Sequence, residues 1–374
     1  MGASLSSHQG NSLADVHRQW LLQHRESSIK YASSSSIETF EHGSVQLLAL
    51  AYQASQAAHE CSTDQHIRFQ ISKDGGETWS ASRVVVWGLG PCWSPILFYD
   101  KRSQRLFLFY SESRKAYSPG GDIKYISSPD AGESWSPPTV IYTHEQDGEC
   151  PKLAANKPVV DTAGIWYLAV QREPAESYRT FAAKSFHPLK EVPSLPKLAV
   201  PATAAPQLTS TSAGVLKSSD SGSTWTAHGA ISLPNTWLIE PALEVGSKGQ
   251  LLMLFRTAAG KVYMATSADQ GLSWSKPYTT SLPNPNSKVA TVTIDGQILC
   301  VYNNSGSART PLSLALSVDD AKSWDPLTII ESDPLGKFSC PSVIQWSDDT
   351  VKVSYTVWGE GLRLATIRLA TAEA

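Results

Sequence analysis

Short apolar runs of strand length recur along the chain, and each runs straight into the same kind of turn. HIRFQIS (66–72), IKYISS (123–128), AGVLKSS (213–219), KVYMATS (261–267) and LSLALS (312–317) have strand character. They lead into SKDGGETW (72–79), SPDAGESW (128–135), SSDSGSTW (218–225), SADQGLSW (267–274) and SVDDAKSW (317–324). The shared form is Ser-x-Asp-x-Gly-x-Ser/Thr-Trp, and each copy is followed by a further short run. This chemistry predicts a hairpin turn: the aspartate bonds backbone amides two residues on, glycine supplies a positive φ, and the hydroxyl residue ties the exit strand. The tryptophan then pins the turn onto the sheet it leaves. Asp74, Asp130, Asp220, Asp269 and Asp319 are therefore read as structural. The last copy carries Ala321 where the others have glycine, so its turn is expected to be looser or to take another backbone conformation.

Those aspartates are separated by 56, 90, 49 and 50 residues. Such steps suit four-stranded blades and predict an all-β, six-bladed β-propeller. The long step holds HPLKEVPSLPKLAVPATAAPQLTSTSA (187–213), whose low complexity marks an insertion inside one blade. Blades are expected near 36–86, 88–142, 145–232, 235–282 and 284–332, with a sixth from about 335 to the end that lacks its own turn motif. A propeller has to close its ring to remove free sheet edges, and residues 1–35 are expected to help, segment 10–35 supplying a strand or a short helix. A seven-bladed ring is the rival, but no sequence is left for its extra blade.

Composition narrows the picture. The 374 residues are 41% apolar and 17% charged with 12 Trp, enough to bury a large core. A net charge of −3 gives no electrostatic footprint for nucleic acid or an anionic membrane. Five widely spread cysteines without metal-ligand spacing read as free thiols in a reducing compartment, and no metal or other cofactor is expected. No apolar stretch reaches the length of a membrane span and the N-terminus lacks a secretory pattern, so the expected location is cytoplasmic, with a monomer as the expected state. MGASLS fits the loose N-myristoylation pattern at Gly2.

The turn motif is the Asp-box, and its copies at blade spacing make residues 36 to 370 resemble the sialidase (neuraminidase) superfamily of six-bladed propellers. LIEPALEVGSKGQLLMLFRT (238–257), SLPNPNSKVATVTIDGQILCVYNNS (281–305), RTPLSLALS (309–317) and FSCPSVIQ (338–345) resemble a narrower sialidase-like group of bacteria, fungi and plants. The resemblance implies arginines that hold a substrate carboxylate, an acidic residue for the leaving group, and a tyrosine nucleophile activated by a glutamate. Glu240 and Arg256, 16 residues apart, are similar to the activating glutamate and second arginine, and Arg309 resembles the third. The first arginine is absent, and His42 stands near that place as a candidate general acid or base. Phe338 occupies the expected tyrosine position in FSCPS and cannot attack, while Tyr355 reads as a core or sheet residue.

Further candidates are Lys157 with Asn156 in AANKPVV, and Arg172 with Glu173, which face the pore or pair with each other. Glu60 and Asp64 fall in HECSTD, and Asn284 and Asn286 either donate to sugar hydroxyls or build a turn. The reading is an enzyme acting on acidic-sugar glycosides by hydrolysis or uronate elimination, with His42 and Glu240 as catalytic groups. Arg256, Arg309, Lys157, Arg172 and Asn286 are its substrate-binding candidates. The alternative is a non-catalytic propeller that binds a glycan or a protein.

Overall fold

The computed structural model describes residues 14–114, 120–173 and 211–369. The expected lipidation site at Gly2 and most of the low-complexity segment (187–210) lie outside them, whereas the end of that segment enters a strand at Ser212.

Strand β1 (Ala14–Gln23) precedes the first blade, which contains β2 (Tyr31–His42), β3 (Val45–Ser55), β4 (His66–Ser72) and β5 (Arg83–Val86). The second holds β6 (Cys92–Asp100), β7 (Arg105–Glu112), β8 (Asp122–Ser128) and β9 (Thr139–Tyr142). In the third, β10 (Lys152–Leu153) and β11 (Val159–Val160) both pair with β12 (Trp166–Arg172), followed by β13 (Ser212–Ser218) and β14 (Thr226–Ile231). The fourth is β15 (Ile239–Val245), β16 (Leu251–Arg256), β17 (Lys261–Ser267) and β18 (Tyr278–Pro283). The fifth is β19 (Ala290–Ile294), β20 (Gln297–Asn303), β21 (Leu312–Ser317) and β22 (Asp325–Glu331). The sixth is β23 (Phe338–Ser347), β24 (Thr350–Val357) and β25 (Gly361–Leu369), and β1 returns as its outermost strand, antiparallel to β25.

These six antiparallel sheets form the propeller, and the described residues leave no seventh sheet. The ends of the chain thus share one blade, which supplies the closure that sheet edges require. Segment 17–28 resolves into the end of β1 and a single 3-10 turn rather than a longer helix. Arg363 lies over the Trp20 ring at 4.0 Å, and Arg18 Nε donates to the Ile330 carbonyl at 2.5 Å, binding β1 to its own sheet and to the fifth blade. Blade-to-blade packing is apolar all round the ring. Where the sixth blade meets the first, Ile344, Leu362 and Leu364 pack with Ile37, Leu48 and Leu50, all nearly or fully buried.

The turn motifs join the third and fourth strands of five blades, at the opposite face from the loops that precede each innermost strand. In the first, Ser72 Oγ donates to Asp74 Oδ1 at 2.7 Å and accepts from Gly76 N at 2.7 Å. Asp74 Oδ1 accepts the Thr78 amide at 2.9 Å, and Trp79 Nε1 donates to the Gly76 carbonyl at 3.0 Å. The aspartate therefore reaches an amide four residues on, not two, and the serine takes the intervening one. The fifth motif keeps the serine and aspartate bonds through Ser317, Asp319 and Ser323 although Ala321 replaces glycine, with Ala321 at φ 62°, but its Trp324 Nε1 makes no hydrogen bond among the described residues. The expectation of a looser turn is corrected: the same left-handed conformation is held with a side chain in place.

No helix among the described residues is long and apolar enough to cross a membrane.

Candidate functional site

The innermost strand of each blade is an edge strand facing the propeller axis. In four of the blades it carries a residue followed by proline: Ser94-Pro95, Lys157-Pro158, Glu240-Pro241 and Cys340-Pro341. Proline has no N–H to give to the ladder, so it settles at strand edges and bulges. Ladder register breaks at three of these dipeptides, between Trp93 and Ile96, Ile239 and Ala242, and Ser339 and Ser342. Ser94, Glu240 and Cys340 take φ of 47°, 45° and 50° there, and Ser34 in the corresponding break of β2 takes 50°. Such bulges re-aim side chains. The second strands brace them: Gln53 Oε1 accepts from Ser94 N at 2.9 Å, and Gln171 Oε1 accepts from Glu240 N.

Glu240 is thereby set beside Arg256, the last residue of β16, whose Nη1 donates to Glu240 Oε2 at 2.7 Å. Arg256 Nε donates to Asn286 Oδ1 at 2.7 Å, and the Asn286 carbonyl accepts from Arg309 Nη2 at 2.8 Å. Asn286, held at φ 58° with Trp237 Nε1 also on its Oδ1 at 3.1 Å, is thus the bridge between two guanidinium groups. Arg309 lies over the exposed Trp358 ring at 5.1 Å. Burial, together with Arg256, brings the Arg309 pKa down to about 10. Four of the expected residues, Glu240, Arg256, Asn286 and Arg309, therefore meet at one mouth of the axis.

The other mouth-facing groups include two carboxyls. Burial pushes the Glu173 carboxyl up to about 7, and the neighbouring Glu240 charge adds to the effect. Its Oε1 accepts from Gln171 Nε2, and its buried Oε2 has no hydrogen-bond partner among the described residues. Burial opposes ionisation of Glu240 as well, but Arg256 outweighs it and holds that carboxyl below the usual range. The two environments push their acidities apart. Glu60 accepts from Gln53 Nε2 at 3.3 Å, and Gln53 Nε2 also reaches the Tyr31 hydroxyl at 3.0 Å. Desolvation raises the Glu60 carboxyl, against a hydrogen bond from Tyr31.

Three expectations are corrected. His42 is exposed at the hairpin between β2 and β3, the opposite end of β2 from Tyr31, so it does not reach this mouth. Arg172 is buried in the sheet, its guanidinium donating to Tyr142 Oη at 2.7 Å, the Gly229 carbonyl at 3.1 Å and Asp147 Oδ2 at 3.0 Å. It pairs neither with the pore nor with Glu173, because strand neighbours point to opposite faces. Lys157 pairs with Glu38 at 2.9 Å inside the axial cavity of about 470 Å³, away from the arginines. Its neighbour Asn156 is a scaffold, donating to the Glu240 and Pro241 carbonyls.

The remaining candidates are structural. Asn284 is fully buried and closes its loop on Ser287, while Asp64 accepts from Ser62 and the Gln56 amide. Phe338 is buried with Tyr355 in the core rather than facing the axis, and the residue of β23 that does turn there is Cys340. Sequence reasoning missed Cys340, Tyr31 and Lys288. The recurrent residue-before-proline on innermost strands is the signal that finds Cys340. Among the described residues, no group of three or more His, Cys, Asp or Glu is placed to hold a metal ion.

Residues 46–353 match the model of the BNR repeat-like domain. Comparison with curated protein sequences gave no match. Among solved structures, a protein of unknown function from Dyadobacter fermentans is similar at a TM-score of 0.72 and 15% identity, covering 95% of this chain and 99% of that one. A variant of the NanB sialidase from Streptococcus pneumoniae is similar at TM-score 0.67 and 14% identity, covering 94% of this chain and 70% of that one. The leech intramolecular trans-sialidase, solved with 2,7-anhydro-Neu5Ac, is similar at TM-score 0.66 and 13% identity, covering 93% and 70%. At such identities these neighbours speak for the fold, a sialidase-like propeller, and the domain match spans most of the sequence. The chain belongs to the BNR repeat-like domain family.

Proposed function

We propose that the protein binds glycosides of an acidic sugar at this mouth and hydrolyses them. The observation that carries the reading is the wall formed by Arg256, Asn286 and Arg309, two guanidinium groups locked together beside an ionised and a protonated carboxyl. A buried ion pair contributes little to net stability, because desolvation offsets most of its Coulomb attraction. Two arginines converging on one mouth are well suited to a carboxylate, which guanidinium forks bind with charge assistance and directional bonds. In this reading Glu240 orients Arg256, and Glu173, still protonated near neutrality, donates the proton to the leaving oxygen.

The second reading, a binder without turnover, is favoured by one observation: at the start of β23, where a tyrosine would be needed, stands the core residue Phe338, which has no hydroxyl to attack with. Release of fluorophore from a sialoside and from a glucuronide separates the two readings. Wild-type turnover that falls as pH rises through about 7, where Glu173 loses its proton, and that disappears in Glu173→Gln and Arg256→Met, is expected. Tight ligand binding with no release on either substrate leaves the binder.

A further inference from the structure

Cys340 stands at the junction of two halves of the mouth. Its backbone is bulged at φ 50°, and the residues on both sides are tied to groups around it. Lys288 Nζ donates to the Pro341 carbonyl at 2.9 Å, and Trp358 Nε1 donates to Ser339 Oγ at 2.5 Å. The Phe338 amide donates to the Arg309 carbonyl at 2.9 Å. On the cationic side, Arg256, Arg309 and Lys288 all lie within electrostatic range of the sulfur. On the other, Ser33 Oγ approaches Sγ at 3.8 Å, and Tyr31, itself bonded to Glu60, is also within range. Cys92, Cys150 and Cys300 are buried, whereas Cys340 is partly exposed.

A thiol placed among cations, partly open to solvent, is the environment in which sulfur acts as a nucleophile. The unpartnered Glu173 Oε2 gives the same mouth a proton donor. We propose that Cys340 is the nucleophile of this site, forming a covalent bond to the anomeric carbon of the acidic sugar held by Arg256 and Arg309. The inference rests on the reading that the mouth takes an acidic glycoside.

In the first half-reaction the sulfur bonds to the anomeric carbon as the bond from that carbon to the aglycone oxygen breaks. That oxygen takes the Glu173 proton, and the thiol proton passes through Tyr31 to the Glu60 carboxylate. In the second, water attacks the anomeric carbon, its proton goes to the Glu173 carboxylate, and the carbon–sulfur bond breaks. Glu60 then returns its proton to the sulfur. No oxidant or reductant is required.

The test pairs a binding readout with a turnover readout. Limited alkylation of the folded protein with iodoacetate and, separately, iodoacetamide is mapped by peptide mass. Cys340 should be modified first, since burial together with Glu60 pushes the Cys61 thiol up to about 12. Its iodoacetate-to-iodoacetamide rate ratio should exceed that of N-acetylcysteine roughly tenfold, as expected for an anion drawn into a cationic cleft, and should fall to the reference value in Arg309→Met. Cys340→Ser should lose glycoside turnover by about 10²-fold or more while still binding free acidic sugar. A fluorinated acidic glycosyl donor that traps the intermediate should add its mass to the Cys340 peptide.

A ratio equal to that of N-acetylcysteine, unchanged turnover in Cys340→Ser, or trapped sugar on Tyr31 would overturn the inference. Carboxylate-selective alkylation of Cys340 in a wild-type protein that cleaves no glycoside would overturn hydrolysis and with it the nucleophile, while showing that the mouth draws a carboxylate to the sulfur.

Discussion

Glu173 holds its proton to about 7 because burial and the Glu240 charge disfavour the carboxylate, and this has a consequence for stability. Below pH 4.5 the group is protonated in both folded and unfolded chains. Between there and 7 only the unfolded chain ionises, so stability falls, and above 7 the full cost of the buried charge is present. Glu173→Gln removes that dependence. Its stability relative to wild type, from urea unfolding, should rise by about 1–3 kcal/mol between pH 4.5 and pH 8. A difference that does not vary with pH would contradict the assignment. Arg172, one position earlier, predicts the opposite kind of behaviour. Arg172→Ala removes the guanidinium bonds to Tyr142, Asp147 and the Gly229 carbonyl, leaving Asp147 the Tyr142 hydroxyl alone, and should cost about 1–3 kcal/mol, with affinity for acidic sugars unchanged by calorimetry. Glu240, Arg256 and Arg309, each singled out from a recognisable segment, come together at one mouth. What sequence could not supply was parity: alternation assigns Arg172 and Glu173 to opposite faces only once the register is known. On β23 a bulge resets the alternation, which is how Cys340 rather than Phe338 comes to face the axis.

Among elements, the turn motif was the most legible feature, because it is local and repeats. Blade limits read from it lie up to seven residues from the observed strands at 31–86, 92–142, 152–231, 239–283, 290–331 and 338–369, the ends agreeing more closely than the starts. Its glycines and its one alanine differ in what surrounds them. A Cβ on Gly132 would come within 2.4 Å of the Phe69 ring, so Gly132→Ala should cost about 1–3 kcal/mol through overpacking. At Ala321, relief of the left-handed backbone, about 1–2 kcal/mol, is offset by the added freedom of the unfolded chain, about 0.4–1 kcal/mol, and by loss of a buried methyl, about 0.8 kcal/mol. Ala321→Gly should therefore be neutral within about 0.5 kcal/mol by chemical denaturation. The last strand of the sixth blade was the least legible, because ADVHRQWLLQ gains its meaning from β25, more than three hundred residues away in sequence. Deleting residues 1–23 exposes the β25 edge and should shift the protein to aggregates in size-exclusion chromatography. A stable, monodisperse product would show that β1 is dispensable for closure.

For the whole molecule, the ring divides labour between its faces. Turn motifs fasten the blades at one face, and the loops that lead into the innermost strands, with the bulges in those strands, converge at the other. With a net charge of only −3, the proposed attraction for an acidic sugar would be local to Arg256, Arg309 and Lys288 rather than a property of the surface. The fold was therefore open to sequence reasoning through its repeats, while the site was open only in part. The members that sequence reasoning missed, Tyr31, Lys288 and Cys340, come from separate strands and loops and share no local pattern, only Cys340 being marked by the proline that follows it.

The most direct test of the acidic-sugar assignment is calorimetric titration of the wild-type protein with free sialic acid, glucuronic acid and their methyl esters, repeated with Arg256→Met and Arg309→Met. Binding of at least one free acid, loss of about 2–3 kcal/mol on esterification, and comparable loss in either variant is the predicted result. Equal affinity for acid and ester, or binding that survives both substitutions, would contradict the account.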